Sequence, residues 1–392
     1  MSAQRWDTVV VGAGPAGSAT ALLLAHAGAR VLLLDRAAFP RDKPCSEYLS
    51  PESTRVLDRL GPDVLSAVAA ASPGRLTGMK VVAPSGAAVV GRFTNFSFAL
   101  PRTRFDTILR TAAEAAGVEV RERVKIEELV YDSGAVAGVI AREAGHGTRD
   151  TYRARVVVGA DGLRSVVARR LGSVHTTPPR RIAFTAHVGD VRGVTELGEM
   201  HVGRPGYVGF GPIGNGVTTV ALVVPFAEAR RGARFFEELD RFPGVTGRFH
   251  ARHTVRPVLT TGPFARWSRR PVAKGGGALL VGDAADFFDP FTGQGIYSAL
   301  RGAELAAAAI VNSLTTGATL ESYARARRRE FTGKWILERM IGLAVGWPGL
   351  IERVVARLRR RPELADLLVR ATGNCLPASA VLTPGVLAGL VL

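Results

Sequence analysis

The hydrophobic pattern is sharpest near the N-terminus. Residues 7–11 form a short, continuous apolar run, which is typical of a buried strand. An alanine- and leucine-rich stretch continues to about His26 and predicts a helix. A second apolar run over residues 29–35 predicts a second strand that ends at Asp35. Strand, helix and strand in this order predict a parallel βαβ unit at the start of an α/β domain.

Two later regions have a different pattern. Residues 75–100 and 180–265 alternate apolar and polar positions between glycine-containing turns, which predicts an antiparallel sheet inserted in two pieces. After about residue 315 the apolar positions recur at helical spacing, which predicts helices packed on the body. The pattern therefore divides the chain into a discontinuous α/β domain, a sheet domain and a helical C-terminal region, with the respective bounds 1–74, 101–179 and 266–330; 75–100 and 180–265; and 331–392.

The composition is consistent with this division into domains and limits the kinds of binding partner that we expect. At 392 residues the chain is long enough for two interleaved domains. Its formal net charge of +17 raises the question of nucleic-acid binding, but the arginines are scattered and no groove-reading motif accompanies them. We therefore expect no nucleic-acid partner, whereas contact with anionic lipid or an acidic partner stays open. Cys45 and Cys375 are far apart and form no disulfide framework, which favours a reducing, cytoplasmic setting.

The apolar C-terminus, residues 376–392, has two interpretations. Prolines interrupt it, and no run in the sequence is long enough to span a bilayer. It is either a segment docked on the body of the protein, or a membrane-surface contact or a lid over an apolar substrate. The sequence thus favours a cytoplasmic protein with peripheral membrane contact left open, and it gives no indication of oligomeric state.

A glycine motif occupies the turn after the first strand. Gly12, Gly14 and Gly17 form GxGxxG, and Asp35 follows at the end of the second strand. This arrangement suits a dinucleotide, because Gly12 allows the tight turn, Gly14 lets a pyrophosphate approach the backbone and Gly17 lets the helix pack closely. The helix N-terminus favours phosphate, and Asp35 would accept hydrogen bonds from the ribose hydroxyls.

Two further segments indicate the type of dinucleotide. VVVGADGLRS (156–165) is a strand followed by a DG pair, and GGALLVGDAADFFDPFTGQGIYSAL (276–300) is a strand, a GD pair and a Pro/Gly loop that opens a helix. With the βαβ unit, they resemble the FAD-dependent oxidoreductases of the glutathione-reductase-2 type over about residues 6–330. This superfamily includes p-hydroxybenzoate hydroxylase-like monooxygenases, flavin-dependent halogenases and geranylgeranyl reductases. The resemblance implies a Rossmann-type FAD-binding domain with an inserted antiparallel β-sheet substrate domain.

The resemblance also implies which residues bind FAD. Asp283 would hydrogen-bond the ribityl chain, Pro290 would stand close to the flavin ring, and Val124 would pair with the adenine through its backbone. The helix start after Pro290 would stabilise charge on the reduced ring. The implied cofactor-binding residues are Gly12, Gly14, Pro15, Ala16, Gly17, Asp35, Arg36, Cys45, Ser46, Arg102, Val124, Asp161, Gly282, Asp283, Pro290, Gly293, Gln294, Gly295 and Ile296. No metal site is implied, and NAD(P)H or a separate electron donor would be the reductant.

Two of these residues also have a structural interpretation. Arg102, in PRTRFD (101–106), would contact the cofactor, or it is a surface arginine at a helix start. Asp161 would contact FAD and NADPH, or it is the N-cap of the helix that follows, and both roles can hold together.

The stretch DKPCSEYLSP (42–51) resembles a KPCGxxLxP-like stretch of geranylgeranyl reductases and their relatives. The resemblance places this segment along FAD. Cys45 is then a packed neighbour of the cofactor, or a redox or substrate-gating thiol. Ser50 is expected to be the N-cap of a helix with Pro51 at its first position.

The reaction type has less support in the sequence. Residues 206–220 lie where geranylgeranyl reductases carry YxWxFPxG, but Gly209 and Gly211 replace the tryptophan and phenylalanine of that aromatic wall. The four tryptophans fit no WxWxxP signature, which argues against halogenation. Asp286, in GDAAD where hydroxylases often carry GDAAH, is a general base, a polar lid on the pocket or a solvated loop acid.

The sequence thus predicts an FAD-dependent oxidoreductase that acts on an apolar small molecule. The first hypothesis is a flavoprotein monooxygenase (hydroxylase) of an aromatic or polyketide-like substrate from secondary metabolism. The alternative is a geranylgeranyl-reductase-like reductase of C=C bonds, or a dehydrogenase, of an apolar substrate. Cys45 and Asp286 are the catalytic candidates, and the candidates for the substrate pocket are Tyr48, Tyr207, Phe210 and Pro212.

Overall fold

Two large sheets and a set of C-terminal helices make up the protein. The computed structural model describes residues 5–145, 148–204, 206–229 and 234–391. The strands are β1 Arg5–Val11, β2 Val31–Leu34, β3 Tyr48–Leu49, β4 Gly74–Val82, β5 Ala88–Ala99, β6 Glu119–Arg121, β7 Val124–Asp132, β8 Ala135–Glu143, β9 Arg149–Gly159, β10 Val174–Thr176, β11 Arg181–Gly189, β12 Leu197–Val202, β13 Tyr207–Pro212, β14 Val217–Pro225, β15 Thr254–Thr261, β16 Arg266–Ser268, β17 Ala278–Leu280 and β18 Asp286–Phe287.

The helices cluster near the first sheet and at the C-terminal end of the chain. They are α1 Pro15–His26, α2 Pro51–Leu60, α3 Pro62–Ala70, α4 Arg102–Ala115, α5 Val166–Arg170, α6 Phe226–Ala229, α7 Phe235–Leu239, α8 Gly295–Thr316, α9 Glu321–Ala344, α10 Pro348–Arg360, α11 Pro362–Thr372 and α12 Pro384–Val391. Single-turn helices lie at Ala251–His253, Gly282–Ala284, Pro290–Thr292 and Ala378–Ala380.

The first sheet has the order β6–β2–β1–β9–β8–β7, and β17 also pairs with β9. The pairs β6–β2, β2–β1, β1–β9 and β9–β17 are parallel. Apolar residues occupy consecutive positions in β1 because both faces of the sheet are covered. Val10 packs with α1 and α8 on one face, and Val9 packs with residues of β7 and β8 on the other. The predicted βαβ unit is therefore the centre of this sheet.

The second sheet has the order β15–β11–β14–β13–β12–β4–β5–β3. Its pairs are antiparallel except for β12 and β4, which run parallel, so the sheet is mixed where the sequence predicted an antiparallel one. Its edge strand β3 comes from the segment 42–51, which the sequence analysis assigned to the α/β domain. A third, small sheet of β10, β16 and β18 lies beside the loop that precedes α8.

The C-terminal helices close one face of the second sheet. Residues of α10 and α11 pack against Met200, Tyr207 and Val223 on this face, which we call the inner face. Residues of α7 and the segment 242–249 cover the opposite face. The apolar tail is docked on the body, since Val381 is buried against α9 and α11 and Leu390 packs with α10; Leu392 lies outside the described residues.

Candidate functional site

A cavity of about 570 Å³ lies between the glycine turn after β1 and the inner face of the second sheet. Segments from four distant parts of the chain line it: the turn after β1, residues 41–48, the loop before α8, and strands β11 to β14. Of the nineteen residues predicted to bind the cofactor, all but Gly17, Gly282 and Gln294 border this cavity. The structure therefore brings the three sequence motifs together at one place.

The glycine turn has the geometry that a dinucleotide needs. Gly12 has φ +102°, and a Cβ there would lie 2.5 Å from the carbonyl oxygen of Ala160. A Cβ on Gly17 would lie 1.7 Å from the carbonyl oxygen of Gly12, so Gly17 serves the packing of α1 and not the cavity. At Gly14 the nearest atoms to an added Cβ are guanidinium nitrogens of Arg41 (3.3 Å) and Arg102 (3.8 Å). The backbone of Gly14 thus faces positive charge.

A cationic cluster surrounds this turn. The side chains of Arg41, Lys43 and Arg102 converge there, against the carboxylates of Asp106 and Asp283. Burial lowers the pKa of Lys43, and the neighbouring Arg102 and Arg41 lower it further against the opposing effect of Asp283. An excess of positive charge beside an open glycine backbone at a helix N-terminus fits the pyrophosphate of FAD.

Arg102 was interpreted either as a cofactor contact or as a surface arginine at a helix start, and the structure rules out the second interpretation. It begins α4 but is only 5% exposed, and its guanidinium binds Asp106 through two hydrogen bonds of 2.6 and 2.8 Å. Arg41 adds a second contact to Asp106 at 3.1 Å. The buried carboxylate of Asp106 therefore fixes both guanidinium groups beside Gly14.

Two residues predicted to contact the nucleotide also hold the backbone together. The carboxylate of Asp35 borders the cavity and accepts the N–H groups of Ala13 (2.7 Å) and Ala37 (2.8 Å). The N–H of Val124 donates to the carbonyl oxygen of Asp35 at 2.8 Å. These bonds orient the turn after β1 and the end of β2, and the roles of Asp35 and Val124 toward the adenosine stay predictions.

Asp161 supports α5 from outside the helix. The N-cap of α5 is Ser165, whose hydroxyl accepts the N–H of Ala168 at 2.9 Å, so Asp161 does not have the N-cap role that was one of its two interpretations. Asp161 accepts the Ser165 hydroxyl at 2.5 Å and the N–H of Val166 at 2.6 Å. Burial raises the pKa of Asp161, although these hydrogen bonds oppose the shift.

The loop before α8 forms the cavity wall where the flavin ring is expected. Gly293 has φ +66°, and a Cβ there would lie 2.7 Å from the ring of Tyr48. Tyr48 borders the cavity and stacks on Phe93. Gln294 differs from the expectation, because its side chain donates to the carbonyl oxygen of Thr372 at 2.5 Å and does not line the cavity.

The segment 42–51 joins the cofactor region to the second sheet. Cys45 borders the cavity, packs against the apolar core beside α1, and accepts the N–H of Glu47 at 3.2 Å. The carboxylate of Glu47 is fully buried, 2.6 Å from His187 of β11 and 3.5 Å from Arg256 of β15. Ser50 is the N-cap of α2 with Pro51 at its first position, as expected, but its hydroxyl contacts Ser53 instead of a backbone N–H.

Methionine and leucine side chains form the part of the cavity wall where Gly209 and Gly211 replace aromatic residues. A Cβ on Gly209 would lie 2.8 Å from the sulfur of Met200, and one on Gly198 would lie 2.6 Å from the sulfur of Met79. A Cβ on Gly211 would lie 3.4 Å from Leu76. The glycines therefore leave the space that these flexible side chains occupy, and the cavity keeps an apolar wall on the inner face.

The other pocket candidates divide between the two faces of β13. Tyr207 borders the cavity, and its hydroxyl donates to Asp289 at 2.6 Å, while Arg181 holds the other oxygen of Asp289 at 2.5 Å. Phe210 borders the cavity through its strand, but its ring packs on the opposite face against Phe249. Pro212 is not among the lining residues, contrary to the prediction.

Helix α9 brings charged groups close to the same cavity, and one of them, Glu338, lines it. Asp286 is neither solvated nor a free base, because it forms a buried ion pair with Arg327. Glu338 lines the cavity, lies 3.5 Å from Lys334 and accepts the hydroxyl of Thr292 at 3.4 Å. Burial raises the pKa of Glu338, Lys334 opposes the shift, and Asp286 adds to it.

Several of these residues were not found from the sequence. Arg41 and Lys43 flank the turn before Cys45, and two basic residues beside a proline were the available signal. Glu338 gave no signal, because it is one of many charged residues in a long C-terminal helix. The pairing of Met200 with Gly209 depends on strand register, which the sequence pattern does not specify.

Known proteins resemble the chain along most of its length. A menaquinone reductase of Mycolicibacterium smegmatis is 28% identical over 397 residues, covering 94% of this chain and 92% of that protein. A digeranylgeranylglycerophospholipid reductase of Methanosphaerula palustris is 30% identical, covering 84% and 83% of the two chains.

Solved structures show the same fold. A flavoprotein/dehydrogenase of Cytophaga hutchinsonii superposes with a TM-score of 0.85 at 20% identity, covering 96% of this chain and 95% of that chain. A flavin-dependent brominase gives a TM-score of 0.83 at 21% identity, covering 95% and 94%. The family model described as the FAD binding domain matches residues 5–334. The chain belongs to this family of FAD-binding proteins, and it is an FAD-dependent oxidoreductase.

Proposed function

We propose that the protein reduces a carbon–carbon double bond in a long apolar molecule. The observation that carries this proposal is the apolar wall of Leu76, Met79 and Met200, which faces the cavity beside the loop expected to contact the flavin. Relatives that match most of the chain are named as reductases of menaquinone and of a digeranylgeranyl lipid. The missing tryptophan and phenylalanine therefore do not weigh against a reductase.

The residues of the chain divide the work of such a reaction. Reduced FAD, when bound, supplies a hydride to one carbon of the double bond. Arg41, Lys43 and Arg102 would hold the pyrophosphate, and the apolar wall would exclude water from the substrate. The second carbon needs a proton, and the carboxyl group of Glu338 can hold that proton because burial favours its neutral form. NAD(P)H or a separate donor protein would restore the reduced cofactor.

A monooxygenase of an aromatic substrate is the second candidate. The Tyr207 hydroxyl borders the cavity and donates to Asp289, whose other oxygen accepts from Arg181. Its oxygen can still accept a hydrogen bond from the hydroxyl of a phenolic substrate. In that reaction one atom of O₂ enters the substrate and the other leaves as water, with electrons from the same donor.

One experiment separates the two reactions. The holoenzyme is reduced with dithionite without oxygen and mixed with a menaquinone or a geranylgeranyl lipid. Reoxidation of the flavin absorbance together with a product that carries two more hydrogen atoms on a carbon–carbon double bond of the isoprenoid chain supports the reductase. Fragmentation mass spectrometry of the air-oxidised product makes this assignment, because reduction of the quinone ring alone adds the same mass but is reversed by air. Reoxidation only after oxygen is admitted, with a phenolic substrate that gains one oxygen atom, supports the monooxygenase. If no candidate substrate changes under either condition, both proposals fail.

A further inference from the structure

Helix α9 distributes its side chains in an unusual way for a surface helix. It buries the charged groups of Arg327, Lys334 and Glu338 on the side that faces the cavity. On its outer side it exposes large apolar residues along its C-terminal half. A surface helix of a soluble domain normally shows the reverse arrangement, so the exposed apolar side chains suggest a contact with something other than water.

The exposed apolar residues form one stripe. Ile336, Met340, Leu343 and Trp347 are 47%, 40%, 55% and 68% exposed, respectively. Their spacing of four, three and four residues places them on the same side of α9 and of the turn that follows it. Together they account for half of the large apolar side chains that are exposed among the described residues. We call this set the apolar stripe.

Arginines continue the same side of the helix toward its N-terminus. Arg325, Arg328 and Arg329 line a surface recess together with Thr332, and all three arginines are exposed. Within the described residues none of the three has an ion-pair partner. Arg329, the nearest of these arginines, lies roughly 10 Å along the helix from Ile336 of the apolar stripe, at 1.5 Å of rise per helical residue. Uncompensated positive charge therefore adjoins an exposed apolar surface.

The apolar stripe also adjoins the cavity. Arg339, between stripe residues, has its guanidinium 5.8 Å from the ring of Phe288, and Phe288 lines the cavity. On the opposite side of the same helix, Glu338 lines the cavity and Gly342 packs against Asp289. One helix thus separates the exposed stripe from the substrate region.

We propose that the apolar stripe and the arginine recess are a docking surface for a bilayer of anionic phospholipid. Trp347 and the aliphatic side chains would enter the boundary between headgroups and acyl chains, and the arginines would bind lipid phosphates. No helix within the described residues is long and apolar enough to cross a membrane, so the contact lies at the surface. A second copy of the chain fits this surface less well, because it would bring the same excess of arginine against itself.

The position of the surface bears on the substrate. If the proposed reduction is correct, a long apolar substrate would pass from the bilayer along α9 into the cavity. This step rests on the proposed function, whereas the docking surface does not. Lipid binding can therefore be measured without any turnover.

The test is sedimentation of the FAD-loaded protein with phospholipid vesicles. We expect the wild-type protein to sediment with vesicles that contain phosphatidylglycerol, and to bind less to pure phosphatidylcholine and at high salt. The variant Ile336→Ser/Leu343→Ser/Trp347→Ser should bind about tenfold more weakly, since it loses the apolar insertion. The variant Arg325→Gln/Arg328→Gln/Arg329→Gln should bind about a hundredfold more weakly to the anionic vesicles. Each of the three arginines contributes to the binding affinity through its attraction to the anionic membrane surface, and the variant loses all three contributions.

Two matched variants control for lost charge and lost apolar surface. Arg192→Gln/Arg234→Gln/Arg252→Gln removes three exposed arginines elsewhere, and Val255→Ser removes an apolar side chain that is 63% exposed. Both should bind vesicles as the wild type does, and all variants should keep their FAD. The proposal is overturned if wild-type protein stays in the supernatant, or if the stripe variant sediments like the wild type. A lipid-free dimer that only the stripe substitutions dissociate, without vesicle binding, would assign the surface to a second copy.

Discussion

In the proposed reduction, the carboxyl group of Glu338 exchanges a proton with the molecule in the cavity. It contacts Thr292 and Lys334, and burial holds its pKa above the usual value. Replacing it by glutamine keeps the shape and removes the proton. We expect Glu338→Gln to lower the turnover number about a hundredfold while FAD stays bound. Glu321→Gln, at the exposed start of α9, is the control and should behave as the wild type.

The same residue predicts a pH dependence of turnover. A carboxyl group with a raised pKa stays protonated to a higher pH than an exposed glutamate. Turnover that needs this proton should therefore decline as the pH rises through the raised pKa of Glu338, and the decline should be absent from the residual activity of Glu338→Gln. A pH profile of the same shape in both proteins would remove Glu338 from the reaction.

Cys45 is expected to pack beside the cofactor without taking part in the chemistry. Its sulfur accepts the N–H of Glu47 and rests against the core beside α1. A serine oxygen can accept the same hydrogen bond, so Cys45→Ser should retain FAD and most of the turnover. Flavin absorbance and steady-state rates measure the two properties. A variant that keeps its flavin but is inactive would show that the thiol is a redox or gating group.

Two residues, Arg102 and Asp286, show what could and what could not be predicted from the sequence. The resemblance of PRTRFD (101–106) to a family segment predicted Arg102 at the cofactor, although the residues alone left a surface arginine open, and the structure places Arg102 at the cavity. Asp286 was not predictable in the same way. Its partner Arg327 is 41 residues away in the sequence, on α9. The two side chains form a buried ion pair only because α9 packs beside β18.

At the scale of elements, the inner face of the second sheet sets the width of the cavity. Met200 fills the space that Gly209 leaves on the neighbouring strand. A tryptophan at position 209 would compete with Met200 for this space. We expect Gly209→Trp to abolish binding of a long apolar ligand while FAD remains, and Gly209→Trp/Met200→Ala to recover part of it. Ligand titrations monitored by flavin fluorescence test this, and unchanged affinity in Gly209→Trp would place the ligand elsewhere.

The alternation of side chains along β13 explains why some of the predicted pocket residues face the cavity and others do not. Tyr207, Gly209 and Gly211 project to one side of β13, while Phe210 and Pro212 project to the other, as successive residues of any strand do. The sequence of β13 is apolar on both faces, because α10 and α11 pack on one and α7 on the other. Its pattern therefore predicted a strand of the inserted sheet but not which residues face the cavity.

At the scale of the whole molecule, Glu199 joins the second sheet to its outer cover. Its carboxylate contacts Lys80 of β4 and Arg248 of the covering segment, and also His201. Although burial alone would raise the pKa of Glu199, these partners lower it to about 2. A group with a depressed pKa stabilises the fold above its unfolded pKa and loses this effect as the pH falls toward the folded value.

Acid unfolding should therefore involve this cluster. Between about pH 4.5 and pH 2, the wild type should lose on the order of 2 kcal/mol of stability through Glu199. Glu199→Gln should be less stable at neutral pH, and its difference from the wild type should shrink as the pH falls through that window. Urea unfolding at several pH values measures this. Glu237→Gln, at an exposed position, is the control, and a constant difference between wild type and Glu199→Gln would contradict the linkage.

The overall architecture was accessible from the sequence because it depends on periodicity and turns. The βαβ unit, the two-part insertion and the terminal helices each leave a local pattern. The position of β3 does not, since two residues, Tyr48 and Leu49, carry no periodicity and pair with residues of β5 that are far away in the sequence. The outer side of α9 was likewise expected to pack on the body, and the structure leaves Leu343 and Trp347 exposed instead.

The strand order of the first sheet has a consequence for how the protein is made. β17 joins the sheet beside β9, although residues 278–280 are synthesised long after β1 and β2. The loop that follows β17 supplies one wall of the cavity, and α9 supplies another. A nascent chain that has only its glycine turn outside the ribosome has half of a binding site. The polypeptide should therefore acquire its flavin late, after β17, the loop that follows it and α9 have emerged.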